Sequence, residues 1–428
     1  MMEKLSVVRK WLQSLFSGKH HNGNHHTMIE TTPSDIDFTS IHDRMQWYID
    51  ANILPCCSSL VLQGQDVVDV KTYGYMDLER KCPLTENAIF RMYSNTKLIT
   101  SVAAMMLVEQ GRFALDDPVA QYLPQFAEPK VLCQDALAIN DVVPAASPIT
   151  IRHLMSHSAG LTYDFLEPES VLGRAYVAGE LRNPQATLAD LTEQLAELPL
   201  CFHPGTKWRY SFATDVIARL IEVVSGQRFD IFLQEHIFQP LGMLDTDFYV
   251  PSEKHERCVT MYAPTDPLKP MQPGLHKFDD PFTGQFSQPR AMLSGGGGLC
   301  STLADYLAFV RMLIGNGAWN GVRILQPETL QLMRQNQLPA GVHVKFPVWH
   351  MPDTVFGLGF ALKTAAAKGE PEVAIDEYHW GGLAGTHAWM APRANLAGIC
   401  MTQRMPGFWH PFSHDFKRLV YAVVTATG

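Results

Sequence analysis

Ser94 and Lys97, three residues apart in the segment RMYSNTK, are the residues of this sequence best suited to chemistry. A helix is predicted over 94–110, and helical residues three apart share a face, so the amine can approach the hydroxyl. A serine hydroxyl is a weak nucleophile until a base takes its proton, and burial can lower a lysine pKa enough for that role. The helix N-terminus would stabilise a developing oxyanion. The pair predicts nucleophilic acyl transfer, although S-x-x-K also arises by chance.

Tyr210 is a second candidate, in the segment WRYSF at 208–212 ahead of a helix predicted over 215–225. Its phenol would act as a general acid or base if cationic neighbours held it beside Lys97. Taken alone, the residue is better interpreted as a buried aromatic side chain at the start of a helix.

The third candidate is the segment HWGGL at 379–383, at the end of a strand predicted over 373–380. Paired glycines let the backbone approach a substrate closely and can present an N–H group to an oxyanion. The alternative interpretation is a plain tight turn between two strands.

Taken together and in this order, the three motifs resemble the S-x-x-K, Y-x-N or S-D-N, and K-T-G signatures of serine β-lactamases and penicillin-binding proteins. Within that superfamily the chain most resembles the family VIII carboxylesterases, which are esterases similar to class C β-lactamases. The resemblance covers about residues 35–425. Three further segments support it: IRHLMSHSAGL at 151–161, FHPGTKWRYS at 202–211 and SGGGGL at 294–299.

The resemblance implies a role for each of these residues. Ser94 would be the nucleophile, Lys97 and Tyr210 would transfer its proton, and water would release the acyl-enzyme. The backbone N–H groups of Ser94 and Leu383 would form the oxyanion hole. Substrate contacts are expected from Tyr93, Phe212, Trp380, Gly381 and Gly382. No cofactor and no metal ion are implied.

Two departures from the lactamase pattern bear on the substrate. Trp380 stands where the K-T-G lysine would bind the carboxylate of a β-lactam or peptide, and it predicts an apolar wall. Phe212 takes the third position of Y-x-N, which removes the amide that contacts an amide substrate. The predicted function is therefore a serine carboxylesterase that hydrolyses small, uncharged, short-to-medium acyl esters, with a weak opening of cephalosporins left open.

Three alternatives stay open. The first is acyl transfer to an alcohol acceptor instead of water. The second is a class C-like β-lactamase or D-amino-acid peptidase, which the missing K-T-G lysine and the lack of an export signal disfavour. The third is a scaffold without catalysis, which the intact Ser94, Lys97 and Tyr210 argue against. The sequence contains no G-x-S-x-G, so the nucleophile turn of α/β-hydrolases is not expected.

Two other clusters are interpreted as structural. The run Gly295–Gly298 lacks a strand and P-loop context, and it predicts a close-packed turn beside the site. His153 and His157 lie four residues apart, but the sequence places no third ligand near them. They are expected to pack or to fix a loop.

The elements that must position these residues indicate an α/β (α+β) fold, with strands at both ends of the sequence and helices in the middle. The resemblance makes this a β-lactamase/DD-peptidase-like fold, with an antiparallel sheet flanked by helices and an inserted helical domain. Strands are predicted over 58–62, 66–73, 355–363, 373–380, 386–391 and 396–403. The predicted units are an N-terminal amphipathic helix and linker at 1–34, a sheet domain at 35–114 plus 285–428, and a mainly helical domain at 115–284.

Composition and charge limit the classes of partner that the protein is expected to bind. The 428 residues are 46% apolar and 18% charged, with a net charge of −9, which excludes a disordered chain and argues against a nucleic-acid binder. The apolar helical pattern over 4–16 is too short to span a membrane, and it is interpreted as a membrane-surface helix, a partner-docking helix or a frayed extension. Eight scattered cysteines predict free thiols and a cytoplasmic protein. The expected partner is a small-molecule ester, without nucleic acid or stable membrane insertion, and a homo-oligomer is left open.

Overall fold

The strands of the protein are short and mostly antiparallel, as seen in a computed structural model that describes residues 29–347, 351–368 and 370–426. In chain order they are β1 (Cys56–Gln63), β2 (Asp66–Asp77), β3 (Cys82–Pro83), β4 (Ile89–Arg91), β5 (Lys130–Leu132), β6 (Val142–Pro144), β7 (Met261–Pro264), β8 (Leu275–Asp279), β9 (Cys300–Thr302), β10 (Ala318–Trp319), β11 (Val322–Arg323), β12 (Thr354–Phe356), β13 (Ala361–Lys363), β14 (Tyr378–Gly381), β15 (Thr386–Ala391) and β16 (Leu396–Met401). The N-terminal helix and linker predicted from the sequence lie outside the described residues.

The helices lie mainly between the two groups of sheet strands. They are α1 (Thr39–Asp50), α2 (Thr96–Glu109), α3 (Ile151–Met155), α4 (Val171–Ala178), α5 (Leu188–Glu197), α6 (Ala213–Ser225), α7 (Phe229–Leu233), α8 (Gln239–Leu241), α9 (Leu303–Ile314), α10 (Pro327–Met333) and α11 (Pro411–Ala426). None of the helices in this part of the chain has both the length and the apolar composition that crossing a bilayer requires. The eight cysteines are free thiols.

A central sheet joins the two ends of the chain. Its eight strands, counted over the described residues, follow the order β12-β13-β14-β15-β16-β1-β2-β3, and neighbouring strands are antiparallel. β16 lies beside β1 in a register that runs from Ser58↔Met401 to Gln63↔Leu396. β1 is buried along nearly its whole length because helices cover both faces of the sheet. The predicted fold class is confirmed.

The two faces of the sheet carry separate apolar clusters. α1 and α11 cover one face, with Tyr48 and Phe416 among the buried residues. α2 and α9 pack on the other face, and α2 is buried on almost every side, which explains why its sequence is apolar all round. This second cluster continues into α6, so one core spans both predicted domains. The division into a sheet domain and an inserted helical domain stays a prediction.

Two late strands differ from their predicted extents. The strand predicted over 355–363 is a hairpin of β12 and β13, because the chain reverses where Gly357 N–H donates to Phe360 O at 2.8 Å. The strand predicted over 373–380 begins only at Tyr378, since Glu372–Ala374 form a 3-10 turn. Apolar residues occur throughout the first segment and toward both ends of the second, and such a pattern does not reveal where the chain turns.

Candidate active site

Ser94 lies at a sharp turn between a strand and a helix. β4 pairs with β9, Met92 N–H donates to Leu299 O at 2.8 Å, and one 3-10 turn (Tyr93–Asn95) leads into α2. Tyr93 has a left-handed backbone conformation, with φ of 45°, which non-glycine residues rarely adopt. The α-helix therefore begins two residues later than predicted, and the strained turn presents Ser94 to the cavity described below.

Lys97 lies in the first turn of α2, with its side chain only 2% exposed. Its Nζ is 2.6 Å from Gly296 O, 3.0 Å from Tyr163 Oη and 3.4 Å from Ser94 Oγ. A protonated lysine has three N–H donors, whereas the neutral amine has two donors and a lone pair. Donation to Gly296 O and Tyr163 Oη would use both donors of the neutral amine. The lone pair would then face Ser94, which is the geometry of a base beside a serine hydroxyl.

The electrostatics of Lys97 favour that neutral form. Burial lowers the pKa of Lys97 from 10.5 to about 7, although the carboxylate of Asp215 opposes the shift. Burial in turn raises the pKa of Asp215, and the charge of Lys97 opposes that change. At neutral pH about half of the Lys97 amine is therefore free to accept a proton.

Tyr210 precedes α6 and faces the same amine, because Lys97 Nζ lies 4.5 Å from the centroid of its ring. Trp380 Nε1–H donates to the phenol oxygen at 3.2 Å. Burial raises the pKa of Tyr210, while hydrogen bonding with Ser94 and Trp380 opposes the rise. The phenol therefore remains protonated at neutral pH and lies next to the nucleophile.

Gly296 connects Lys97 to Asp215. Its carbonyl accepts from the amine, and its N–H donates to Asp215 Oδ1 at 3.0 Å, the oxygen that also accepts from Ser294 Oγ at 2.5 Å. A Cβ at Gly296 would lie 2.5 Å from Asp215 Oδ2 and 2.8 Å from Tyr163 Oη. A side chain there would displace both groups, so the glycine run forms a close-packed turn at this site, as predicted.

The end of β14 packs against the nucleophile turn. A Cβ at Gly382 would lie 2.3 Å from both Met92 O and Thr386 Oγ1, and Thr386 Oγ1 itself donates to Met92 O at 3.0 Å. The next residue, Leu383, accepts from Gly407 N–H at 2.7 Å. Within the described chain no acceptor takes the N–H of Leu383, so this donor is available to a ligand.

Ser94 opens into a cavity of about 300 Å³. Tyr210 and Leu383 also lie in its wall, together with the predicted substrate contacts Tyr93 and Phe212. Most of the remaining wall is aromatic or aliphatic: Tyr163, Phe165, Leu166, Leu181, Leu191, Phe248, Phe286, Met292, Phe346, Phe408 and Trp409. The cavity suits an apolar ligand whose polar end reaches the nucleophile.

The predicted substrate contacts Trp380, Gly381 and Gly382 lie outside this wall. Trp380 is only 2% exposed, and its ring packs 5.2 Å from that of Tyr210 and 5.4 Å from that of Phe356. The apolar wall predicted at Trp380 is formed by other residues, because the indole is buried behind Tyr210. Its contribution to the site is the hydrogen bond that orients the phenol.

Sequence reasoning missed Tyr163 and Asp215. Tyr163 follows the segment HSAGL at 157–161 after one residue, and no spacing rule distinguishes it. Asp215 lies five residues after Tyr210 in the first turn of α6, and it is 1% exposed on a face that is otherwise largely apolar. A single acid on the buried face of a helix was the signal that could have identified it, since an unpaired buried charge is costly.

His153 and His157 hold loops in place. His153 Nδ1 accepts from Thr150 N–H at 3.2 Å in a capping box at the start of α3. His157 Nδ1 lies 3.2 Å from Ser211 Oγ, and burial keeps the pKa of His157 well below its ordinary value. Over the ranges that the structure covers, no three His, Cys, Asp or Glu side chains are grouped to hold a metal ion.

Known proteins are similar to this chain over nearly its whole length. The Beta-lactamase family profile matches residues 48–422. Esterase EstB of Burkholderia gladioli is 29% identical over 414 residues, which cover 92% of this chain and 98% of EstB. Protein Rv1367c of Mycobacterium tuberculosis is 33% identical over 365 residues, covering 83% and 88% of the two chains. The structure of EstCE1, described as a hydrolase with promiscuous acyltransferase activity, superposes with a TM-score of 0.75 at 28% identity, over 90% of this chain and 99% of that one. The chain therefore belongs to the Beta-lactamase family, and within it to the family VIII carboxylesterase group that its motifs resemble.

Proposed function

We propose that this protein is a serine carboxylesterase that forms an acyl-enzyme on Ser94. The observation that carries the proposal is the environment of Lys97, a fully buried amine whose pKa lies near 7 and whose Nζ is 3.4 Å from Ser94 Oγ. A base with a pKa near the working pH is the most effective proton acceptor for a weak nucleophile. The relatives described as esterases support the same reaction class.

In the first step, Ser94 Oγ attacks the ester carbonyl carbon and its proton passes to the neutral amine of Lys97. The carbonyl oxygen becomes an oxyanion, and the N–H groups of Ser94 and Leu383 are proposed to stabilise it. When the tetrahedral intermediate collapses, the bond to the alcohol oxygen breaks. Tyr210, still protonated, donates to that oxygen and recovers its proton from Lys97. The alcohol leaves and the acyl group remains on Ser94.

In the second step, water attacks the acyl-enzyme. The proton of the water passes to the Lys97–Tyr210 pair, the bond between Ser94 Oγ and the acyl carbon breaks, and Ser94 regains its proton. The products are a carboxylic acid and the free enzyme. This step consumes one water and leaves the protein unchanged, so the cycle balances without a cofactor or metal ion.

The part of the substrate next to the reacting carbonyl is proposed to be uncharged, with an acyl chain of short to medium length. Phe212 and Tyr163 form the nearby wall, with ring centroids 4.5 Å apart, and an apolar acyl chain would be desolvated there. The buried Trp380 takes the place of the lactamase lysine and carries no cation. We therefore expect ester turnover to exceed the opening of β-lactams, which is proposed as a weak side activity.

The test is turnover of p-nitrophenyl acetate, butyrate and octanoate beside nitrocefin. Ester hydrolysis is expected in the wild type and a loss of at least about 1,000-fold in Ser94→Ala, because removing the nucleophile leaves only binding and the oxyanion donors. Ser158→Ala is the matched control, since Ser158 is buried outside the cavity wall. Hydrolysis that survives Ser94→Ala would refute the nucleophile, and nitrocefin turnover above ester turnover would favour a β-lactamase.

Acyl transfer to an alcohol is the second candidate. It is favoured by the description of EstCE1 as a hydrolase with promiscuous acyltransferase activity and by the apolar wall of the cavity, which would bind an alcohol better than water. Adding butanol to the p-nitrophenyl butyrate assay distinguishes the two. Formation of butyl butyrate at the expense of butyrate would show transfer, whereas an unchanged yield of butyrate would show hydrolysis alone.

A further inference from the structure

Two arginines interrupt the apolar wall of the cavity, Arg182 and Arg290. Arg182 has a partner, because its Nη2 lies 2.6 Å from Asp164 Oδ1. Its guanidinium also stacks on Phe165, with Cζ 4.7 Å from the ring centroid. The charge of Arg182 is neutralised by Asp164, so it needs no ligand as a counter-ion.

Arg290 has no such partner. It is half-buried, and over the described residues no carboxylate lies within ion-pair distance of its guanidinium. The carboxylate whose charge acts on Arg290 is that of Asp279, which already pairs with Arg91 Nη2 at 2.8 Å. Burial lowers the pKa of Arg290, as expected for a cation that loses water without gaining a counter-ion.

Aromatic contacts fix the position of Arg290 relative to the nucleophile. Its Cζ lies 5.4 Å from the centroid of Phe286, and the Phe286 ring meets that of Tyr93 edge-on at 5.8 Å. Tyr93 is the residue before Ser94. The guanidinium therefore lies along the same cavity wall as Ser94, two aromatic contacts away from the nucleophile turn.

A half-buried guanidinium without a counter-ion is unfavourable unless something else supplies the negative charge. Arginine pairs with carboxylates through two parallel N–H···O bonds, which also fix the orientation of the anion. Stacking on Phe286 gives the cation a smaller compensation, typically less than that of a charged hydrogen bond. The geometry is thus suited to an anionic group carried by the substrate.

We propose that Arg290 binds a carboxylate of the substrate at a point remote from the ester bond, so that the substrates are esters with an apolar body and one free carboxylate. This inference rests on the proposed esterase function. It extends the expectation of uncharged esters, which concerns the atoms beside Ser94, to the distal end of the ligand. It also places the anion site on a different wall from Trp380, where the lactamase lysine would stand.

The experiment compares two substrates with the same acyl chain, mono-p-nitrophenyl adipate and its methyl ester, which end in a carboxylate and in a neutral ester group respectively. The chain of adipate is too long for ready attack by its own carboxylate on the ester. A second pair, 4-carboxyphenyl butyrate and its methyl ester, carries the charge on the alcohol side. The values of kcat/KM are measured for the wild type, Arg290→Gln, Arg290→Lys and Arg418→Gln, an exposed arginine on α11 that serves as the charge control.

We expect Arg290→Gln to lower kcat/KM for at least one carboxylate substrate by about 10- to 100-fold, mainly through KM, because a hydrogen-bonded charge pair is lost. The methyl esters should change by less than about twofold. Arg290→Lys should retain part of the preference for the carboxylate substrate over its methyl ester. In the wild type this preference should also fall at high salt. Arg418→Gln should leave both classes unchanged. An equal loss on charged and neutral esters, or no loss on either carboxylate substrate, would overturn the proposal.

Failure of the esterase function itself would be recognised separately. Turnover of the neutral methyl esters and its loss in Ser94→Ala tests that function without reference to Arg290. If no ester is turned over, calorimetric binding of mono-p-nitrophenyl adipate to Ser94→Ala and to Ser94→Ala/Arg290→Gln decides the anion site alone. Binding at least tenfold weaker in the double variant supports the site, and equal binding refutes it.

Discussion

Lys97 should determine the pH dependence of ester hydrolysis, and Asp215 should determine where on the pH axis that dependence falls. The amine must be neutral to accept the Ser94 proton, so kcat/KM is expected to rise with pH and level off above the pKa of Lys97, near 7. The negative charge of Asp215 stabilises the ammonium form and raises that pKa. In Asp215→Asn the charge is gone, while an amide oxygen can still accept from Gly296 N–H.

The size of the effect follows from the pKa of Lys97. A lysine with its ordinary pKa of 10.5 would be neutral in roughly one molecule in 3,000 at pH 7, whereas a pKa of about 7 makes about half of the molecules competent. An opposite charge in close range typically shifts a pKa by about 1–3 units. We therefore expect the midpoint of the profile to move downward by at least about one unit in Asp215→Asn, so that the variant loses less activity than the wild type on acidification.

The assay is kcat/KM for p-nitrophenyl butyrate between pH 5 and 9 at constant ionic strength. Asp69→Asn is the control, because Asp69 is a buried acid on β2 that contacts His42 outside the cavity. Lys97→Arg should be inactive across the range, since arginine keeps its proton. A midpoint that stays in place or moves upward in Asp215→Asn would refute the coupling, and an active Lys97→Arg would refute the base.

Three further outcomes follow from the same contacts. Lys97→Met should raise the free energy of unfolding, measured by denaturant titration, by up to about 5 kcal/mol at pH 6 and by less at pH 9. The folded state binds the Lys97 proton more weakly than the unfolded state, so the penalty that the lysine imposes on folding is complete below pH 7 and absent above pH 10.5. Equal gains at both pH values would contradict this reasoning. Gly382→Ala should lower kcat by about 100-fold in a folded protein, because its Cβ would push β14 away from Met92; a rate within a factor of three, with unchanged circular dichroism, would show that the strand end can move. Trp380→Phe should lower kcat by about tenfold through loss of the hydrogen bond to Tyr210, without a gain in nitrocefin turnover, and an unchanged kcat would show that the indole N–H is dispensable.

The sequence predicted the local parts of the site better than the distant ones. Ser94 and Lys97 are three residues apart at the start of a helix, so their proximity follows from helix geometry alone. The fold class followed from strands at both ends of the sequence, and these strands do meet, as β1 and β16. Tyr210 and the segment that carries Leu383 were only weak candidates by themselves, and the family resemblance supplied their roles, since their positions beside Ser94 depend on how distant segments pack.

The sequence could not reveal what depends on side-chain orientation. The residues of a strand alternate between its two faces, so the face that Trp380 occupies depends on the register of β14, which composition does not specify. Asp215 reaches the site because α6 packs against α2 and because Gly296 leaves room for its carboxylate. An arginine without a counter-ion, such as Arg290, is recognisable only when the positions of all nearby acids are known.

The environments of Lys97 and Tyr210 separate the roles of acid and base. Both groups are buried beside Ser94, yet burial acts on them in opposite directions, since it disfavours the charged form of each and therefore lowers the pKa of the amine and raises that of the phenol. At neutral pH one group is available to accept a proton while the other still carries one to give. The indole N–H of Trp380 occupies an acceptor position on the phenol oxygen, so the phenol proton points elsewhere, toward the nucleophile and the departing alcohol. A lysine ammonium in place of Trp380 would instead favour the phenolate and thereby weaken the acid that ester cleavage needs.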